Sequence, residues 1–565
     1  MTSGLILGII AAFIFAVFII GYNNNKIEER NFKKKCADEY GAAPSSRLRK
    51  HRGEPGGYFK VNKSSFYLDD ITWNDLMMDD VYDRINYCET SSGEEYLYHI
   101  LRCPLIEETN NFAGMENSLD CLNADADERI KLKESLHRIG KTGRYSIWEY
   151  LPMIDKAEPG SNSVHLIVLL LYIVSIAIMA FYSFMPGFLL FIILIAFNII
   201  TYFRVKAGID PYITTFSYVL RLIRGGEELC RSKSLAFSDE IVKIAECEEK
   251  LKSFKRGSWI LMSGGKYTGS SNPFDIIFDY VRMITHLDLI KFNHMYKKLK
   301  NEIGSVEKLT EIIGYIDACV SVCYYRASVQ NGFCIPEFTN EAVFEIENGY
   351  HPLMEKPVPN SFSAKKGFLI TGSNASGKST FLKMCAINSI FAQSIHTCLC
   401  SKYKAPRYRV YTSMALKDDL KLGDSYYMVE IKSLKRILDA AGESNTPVLA
   451  FIDEVLRGTN TIERIAASSK ILEYFADNKD KIICFAATHD GELSDVLHNA
   501  YEVHHFEGEM KDDDVIFDYA LKDGPATRRN AISLLKKIGY NENIVDEAES
   551  MAARFEEKGI WSLRG

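Results

Sequence analysis

Paired cysteines, a surplus of positive charge and, in the longest apolar runs, any Asp, Glu, Lys or Arg are all missing from this chain of 565 residues. The thirteen cysteines never fall at C-x-x-C spacing; Cys398-Leu399-Cys400 and the Cys319/Cys323 pair come nearest. That leaves too few ligands at zinc-like spacing, so they read as reduced, mostly buried thiols in a cytosolic setting. With 67 Lys and Arg against 74 Asp and Glu, the formal net charge is −7. Such a chain offers polyanions no global attraction, and nucleic acid would need a local basic patch. The runs 4–21, 164–183 and 187–203 hold no Asp, Glu, Lys or Arg. Ionisable groups inside a membrane usually mark an ion or substrate path, so their absence favours anchoring over transport.

What is present begins with those runs, each near the ~20 residues a helix needs to cross a bilayer. Only Met1-Thr2-Ser3 precedes the first, and Phe18-Ile19-Ile20 closes it. A cleaved leader would show a basic start and a small-residue exit, so 1–22 is expected to be an uncleaved anchor. Lys26, Arg30, Lys33, Lys34 and Lys35 follow, then Arg47, Arg49, Lys50 and Arg52. This basic linker, 23–60, places itself in the cytoplasm and the N-terminus outside, and it can also meet anionic headgroups. Met185-Pro186-Gly187 interrupts the second block and reads as the turn of a transmembrane hairpin over 164–203, with Arg204 and Lys206 marking the return to the cytoplasm. Neither half keeps the polar face of a soluble helix. A multi-pass protein of the cell membrane with three transmembrane helices is expected.

The segments 61–160 and 204–335 repeat their apolar residues every three or four positions, which predicts an all-α core split by the hairpin, with Thr72 as a helix cap. Charges interleave along 239–256 and 295–313 as on the solvated face of an extended bundle, and point to no chemistry. From about Pro336 short β-type runs alternate with helical ones, the pattern of a parallel sheet covered by helices. Three runs, 368–371, 447–452 and 481–488, are almost continuously apolar, as buried central strands are.

The first of these leads into Gly372-Ser373-Asn374-Ala375-Ser376-Gly377-Lys378-Ser379-Thr380, which spells G-x-x-x-x-G-K-S/T. Small residues let successive backbone N–H groups wrap a triphosphate, and the next helix adds its positive N-terminal end. Lys378 would reach the β- and γ-phosphates, and the Ser379 hydroxyl would complete a Mg²⁺ shell. A glycine-rich turn without a ligand is the rival reading, and the readable strand and helix on either side disfavour it. The second run ends in Asp453-Glu454, where the aspartate would hold Mg²⁺ through water and the glutamate could polarise an attacking water. The third ends at His489, placed to sense a γ-phosphate. An acidic pair or a lone histidine is usually structural; here both share a segment with the cradle. Between them, 418–430 reads only as a polar turn that caps a helix running through Leu438.

Together, 371–380, 418–430, Phe451-Ile452-Asp453-Glu454-Val455-Leu456-Arg457-Gly458-Thr459-Asn460-Thr461 and Ala487-Thr488-His489 resemble the ATPase domain of the MutS family. The resemblance extends to Asn348-Gly349-Tyr350-His351-Pro352-Leu353 before the cradle. It continues into a C-terminal helical dimer element over 524–548, and 71–105 resembles the start of the family's core and lever helices. It implies an α/β P-loop ATPase domain over 336–565, of ABC/MutS type, preceded by an all-α core and lever region. It also implies ATP and Mg²⁺ as cofactors, and a homodimer in which Ser425 is offered to the partner's γ-phosphate and 457–461 lies beside that junction. About 140 residues separate the first anchor from the hairpin, which leaves no room for the family's mismatch-reading and connector domains. A mismatch-wedging Phe-x-Glu is also lacking near the N-terminus; Phe555-Glu556-Glu557 lies in the C-terminal helix.

The leading expectation is a membrane-anchored ATPase in which Lys378, Ser379, Asp453 and Glu454 carry hydrolysis, with His489 as sensor, and which moves its membrane segments or an unidentified protein partner. A membrane-tethered DNA-binding ATPase without mismatch specificity, in repair or recombination, is the second expectation, resting on the basic 26–52 segment. A membrane scaffold whose dimer is fixed by nucleotide is the third.

Overall fold

The structure is a computed structural model that describes residues 23, 26–44, 55–107, 112–142, 146–156, 161–258, 281, 283–373, 376–414, 426–511, 514–526, 532, 535 and 538–558. The expected anchor over 4–21 and the second basic cluster, Arg47 to Arg52, lie outside the described residues.

The chain divides into two compact units. The first comprises residues 1–62, 85–99 and 113–328 and is helical throughout its described part. A buried carboxylate organises its interior. Asp317 accepts hydrogen bonds from Thr90 Oγ1 at 2.6 Å and from the backbone N–H groups of Thr90 and Glu89. Burial pushes its pKa up to about 6, and the hydrogen bonds hold it from rising further. Gly93 is required at this contact, because a Cβ there would stand 2.2 Å from Asp317 Oδ2.

Two helices of this unit, Ser163–Phe181 and the window Phe184–Lys206, are long and apolar enough to cross a membrane by length and composition. Two such helices are described, against the three expected. Only 17% of each is buried, so they are not core helices of the unit. The turn also falls earlier than the sequence reading has it, at Tyr182 and Ser183. Met185-Pro186-Gly187 instead forms the first turn of the second helix, where the missing proline N–H breaks no bond. Gly187 serves helix contact: a Cβ would meet Met179 Cγ at 2.5 Å and the Ser175 carbonyl at 2.8 Å. The second helix does not end at the apolar limit. It continues unbroken to Ser232, 49 residues in all, or about 73 Å at 1.5 Å per residue. Near the hairpin's base, buried Asn198 donates to the Ile284 carbonyl at 2.6 Å, and Tyr202 donates to Asp288 at 2.7 Å. His165 and His286 pair through their Nδ1 atoms at 2.9 Å.

The second unit comprises 63–84, 100–112 and 329–565. Its boundary differs from the sequence division, which gave 63–84 and 100–112 to the helical core. The reason is polar: Asp75 is buried, and its carboxylate accepts from Thr412 Oγ1 at 2.8 Å and Met414 N at 2.9 Å. Asp69 rather than Thr72 caps the helix Asp70–Asp75, accepting from Thr72 N at 2.8 Å. Thr72 itself is buried and accepts from Thr412 N.

Twelve strands are described in this unit: β1 (Glu337–Phe338), β2 (Phe344–Gly349), β3 (Asn360–Ala364), β4 (Gly367–Gly372), β5 (Lys402–Ala405), β6 (Arg409–Ser413), β7 (Val448–Asp453), β8 (Ile482–Thr488), β9 (Tyr501–Phe506), β10 (Gly508–Lys511), β11 (Asp514–Phe517) and β12 (Lys522–Asp523). Six form one sheet in the order β12-β9-β4-β8-β7-β6, parallel except for β12. The three apolar runs are its centre. Every residue of β4 and β8 is buried, as is β7 up to Ile452. A smaller mixed sheet has the order β1-β5-β2-β3, and β10 and β11 form a hairpin. Helices Lys378–Ser394, Tyr426–Glu443 and Thr461–Asp477 complete the layers.

Asp75→Ala leaves two buried donors unsatisfied. We expect the purified full chain to lose about 2–3 kcal/mol of stability, read as a lowered unfolding midpoint, whereas Asp70→Ala on the exposed side of the same helix changes it little.

Candidate functional site

Register decides which side chains meet. β4 pairs with β8 so that Thr371 faces Thr488, and β8 pairs with β7 so that Ala487 faces Asp453. The carboxyl ends of three adjacent strands therefore end together, and Gly372, Asp453 and His489 emerge from one edge. In an open parallel sheet this edge is where ligands bind.

The cradle sits there. Gly372 has φ +143° and Gly377 φ +112°, and a Cβ on Gly372 would stand 2.3 Å from the Phe506 carbonyl. Glycine is required at both. Lys378 opens the helix Lys378–Ser394 and is buried, its ammonium turned back to donate to the carbonyls of Gly372 and Ser373. Burial lowers its pKa, while Asp453 and Glu454 oppose the shift. Ser379 Oγ donates to Asp453 Oδ2. Burial raises the Asp453 pKa, and the Ser379 bond restrains it. Ser373, Ser376, Gly377, Lys378, Ser379, Thr380, Asp453, Glu454 and Arg457 share the lining of one cleft of about 590 Å³. Asn374, Ala375 and Ser425 lie outside the described residues.

Glu454 has φ +62° and Leu456 φ +56°, left-handed conformations that cost side-chain-bearing residues energy. The turn persists because several groups hold it. Glu454 N donates to the Ala487 carbonyl at 2.9 Å. The Glu454 carboxylate meets Arg457 Nε at 2.7 Å and His489 Nδ1 at 3.4 Å. The bond to His489 lowers the Glu454 pKa, and the same bond raises that of His489. His489 thus reaches the cleft through Glu454. Its neighbour Asp490 takes a two-pronged ion pair from Arg464 at 2.7 and 2.9 Å, which fixes the turn after β8.

Two features were not legible beforehand. Glu430, buried in the helix Tyr426–Glu443, accepts from Arg457 N at 3.0 Å. Burial raises its pKa and backbone hydrogen bonds from 456–458 counter that. In sequence it is one more carboxylate of a charged helix. Tyr519 lines the cleft from beyond the β10–β11 hairpin, its ring 3.2 Å from where a Gly377 Cβ would be. No local pattern announces it.

With this geometry in place, comparison with known families is direct: residues 368–556 match the model of MutS domain V. This part of the chain belongs to the MutS family. The chain is 29% identical over 275 residues to the DNA mismatch repair protein MutS of Natronomonas pharaonis, an alignment covering 47% of this chain and 31% of that protein. It is 28% identical over 300 residues to the protein of the same name from Staphylococcus haemolyticus, covering 50% and 33% respectively. The chain thus spans about a third of the length of these curated relatives. The MutS domain V is a P-loop ATPase domain.

The ring of His489 is expected to titrate above 6.5 and the Glu454 carboxyl below 4.5. Their ion pair is intact between those two values, and is lost as pH rises through the first or falls through the second. An NMR titration of the histidine rings, with His489→Asn to assign the signal, checks this; Glu454→Gln should bring the His489 value down.

Proposed function

We propose that this chain is a membrane-anchored MutS-like ATPase that binds and hydrolyses ATP at a dimer interface and passes the resulting motion to its membrane segments or to a partner. The observation that supports it most is the convergence of Lys378, Ser379, Asp453 and Glu454 on one cleft at the end of three parallel strands. The residues present fit a nucleotide and its metal. Among the described residues, Ser373 Oγ and Ser376 Oγ are buried beside the cradle without hydrogen-bond partners, and Lys378 donates to carbonyls of its own loop.

In this reading the 373–377 loop and the start of the following helix bind the phosphates, and Lys378 exchanges its carbonyls for them. Ser379 and Asp453 would hold Mg²⁺, which when bound supplies charge neutralisation at the transferring phosphoryl group. Glu454 orients and accepts a proton from the attacking water, once its carboxylate leaves Arg457. His489 holds the other face of that carboxylate. Ser425 acts across the dimer. Steady-state hydrolysis by purified protein is the test: Glu454→Gln should retain nucleotide binding and lose about 10²-fold or more of turnover, and Lys378→Ala should lose binding. Wild-type protein that binds ATP without turnover would leave the nucleotide-fixed scaffold instead.

Membrane anchoring rests on the exposure of the hairpin. Ile173, Phe181, Phe184 and Ile200 are all more than 60% exposed, an apolar surface that a bilayer would cover. The protein should stay in the membrane fraction after alkaline carbonate washing, and a chain with 164–203 replaced by a short polar linker should lose that retention if 4–21 does not anchor it alone. A second reading, DNA binding, is favoured by the mismatch repair proteins it resembles. It predicts binding that weakens steeply with salt and with neutralisation of Lys26 to Lys35.

A further inference from the structure

The thiols of the second unit converge in a way that their spacing hides. Cys334 and Cys398 form an isolated antiparallel bridge, each N–H donating to the other's carbonyl at 2.9 Å. Cys400 lies two residues further along, past the bend at Leu399. It brings its Sγ to 3.4 Å from Cys334 Sγ. Cys334 is half-buried, whereas Cys398 and Cys400 are buried. The segments that carry the pair are also joined through Tyr350, whose hydroxyl donates to the Gly332 carbonyl at 2.5 Å and whose N–H donates to the Leu399 carbonyl at 3.0 Å.

We propose that Cys334 and Cys400 are an oxidisable dithiol, a site of reversible modification by peroxides in which Cys334 is attacked first and Cys400 resolves it. A disulfide needs sulfurs ~2.05 Å apart, so closure asks the pair to approach by roughly 1.4 Å, within the reach of side-chain rotation. The chemistry balances. The Cys334 thiolate attacks one oxygen of hydrogen peroxide, giving a sulfenic acid and a hydroxide that takes up the thiol's proton as water. The Cys400 sulfur then attacks the Cys334 sulfur, and the displaced hydroxide leaves as water with the Cys400 proton. Two thiols are oxidised and one peroxide is reduced to two waters; a small dithiol reductant reverses the reaction.

Order within the pair follows from access and electrostatics. Hydrogen bonding with Cys398 and Cys400 holds the Cys334 thiol below its usual pKa, while its bond to Cys334 raises that of Cys400. Cys334, the less buried of the two, is the sulfur that a peroxide reaches first. Cys398 Sγ instead donates to the Asn388 carbonyl at 3.6 Å. Nothing in this depends on ATP turnover.

The test treats purified full-length protein with limiting hydrogen peroxide, blocks free thiols with iodoacetamide and maps the peptides by mass spectrometry. A Cys334–Cys400 linked peptide should dominate and disappear on reduction, and Cys400→Ser should leave a Cys334 sulfenic acid that dimedone traps. In untreated protein Cys334 should alkylate roughly tenfold faster than the buried cysteines, a readout that needs no variant. A linkage through Cys398, or a Cys334 oxidised and alkylated no faster than the buried thiols, would overturn the proposal.

Discussion

The candidate site depends on one constraint, the parallel register of β4, β8 and β7. Parallel strands carry no turn between them, so each emerges from the same edge only because a helix returns the chain across the sheet. Both faces are packed, and Phe368, Phe485 and Phe451 stand in one cross-strand row, so a slip of one residue would move these large side chains onto the face packed for their neighbours. The cradle, the acidic pair and His489 follow from that alignment without further specification. A substitution that loosens the strands would therefore disturb three functional groups at once.

Much of this was legible because buried parallel strands read as continuous apolar runs. The runs at 368–371, 447–452 and 481–488 correspond to β4, β7 and β8 within one residue at each end. The cradle was legible because its glycines are needed for conformation and approach, which restricts residue type at fixed spacing. What stayed hidden is long-range polar pairing. Nothing near Asp75 tells that its carboxylate receives the end of β6, 337 residues away. The hairpin turn was misplaced by three or four residues because Pro186 and Gly187 suit a helix's first turn and a close helix contact as well as they suit a loop.

The thiols illustrate the same limit from another side. Cys398-Leu399-Cys400 offers no ligand geometry by itself, and Cys334 is 66 residues from Cys400. Chain pairing creates the contact, so spacing rules built on local motifs pass over it. Cysteines without paired spacing in sequence are compatible with a crowded thiol face in space.

Glu454 is held in a way that bears on any hydrolytic role. Its carboxylate is shared by Arg457 and His489, and its left-handed backbone is kept in place by a loop that Glu430 also grips. Gly458 lets that loop approach closely, since a Cβ there would stand 2.9 Å from Tyr427 Cβ. Tyr427 and Glu430 are one turn apart on the helix that starts directly after Ser425. The first turns of that helix and the loop after Glu454 are therefore packed against each other. Under the proposed function, a partner that docks at the start of this helix acts on the Arg457 loop through Glu430.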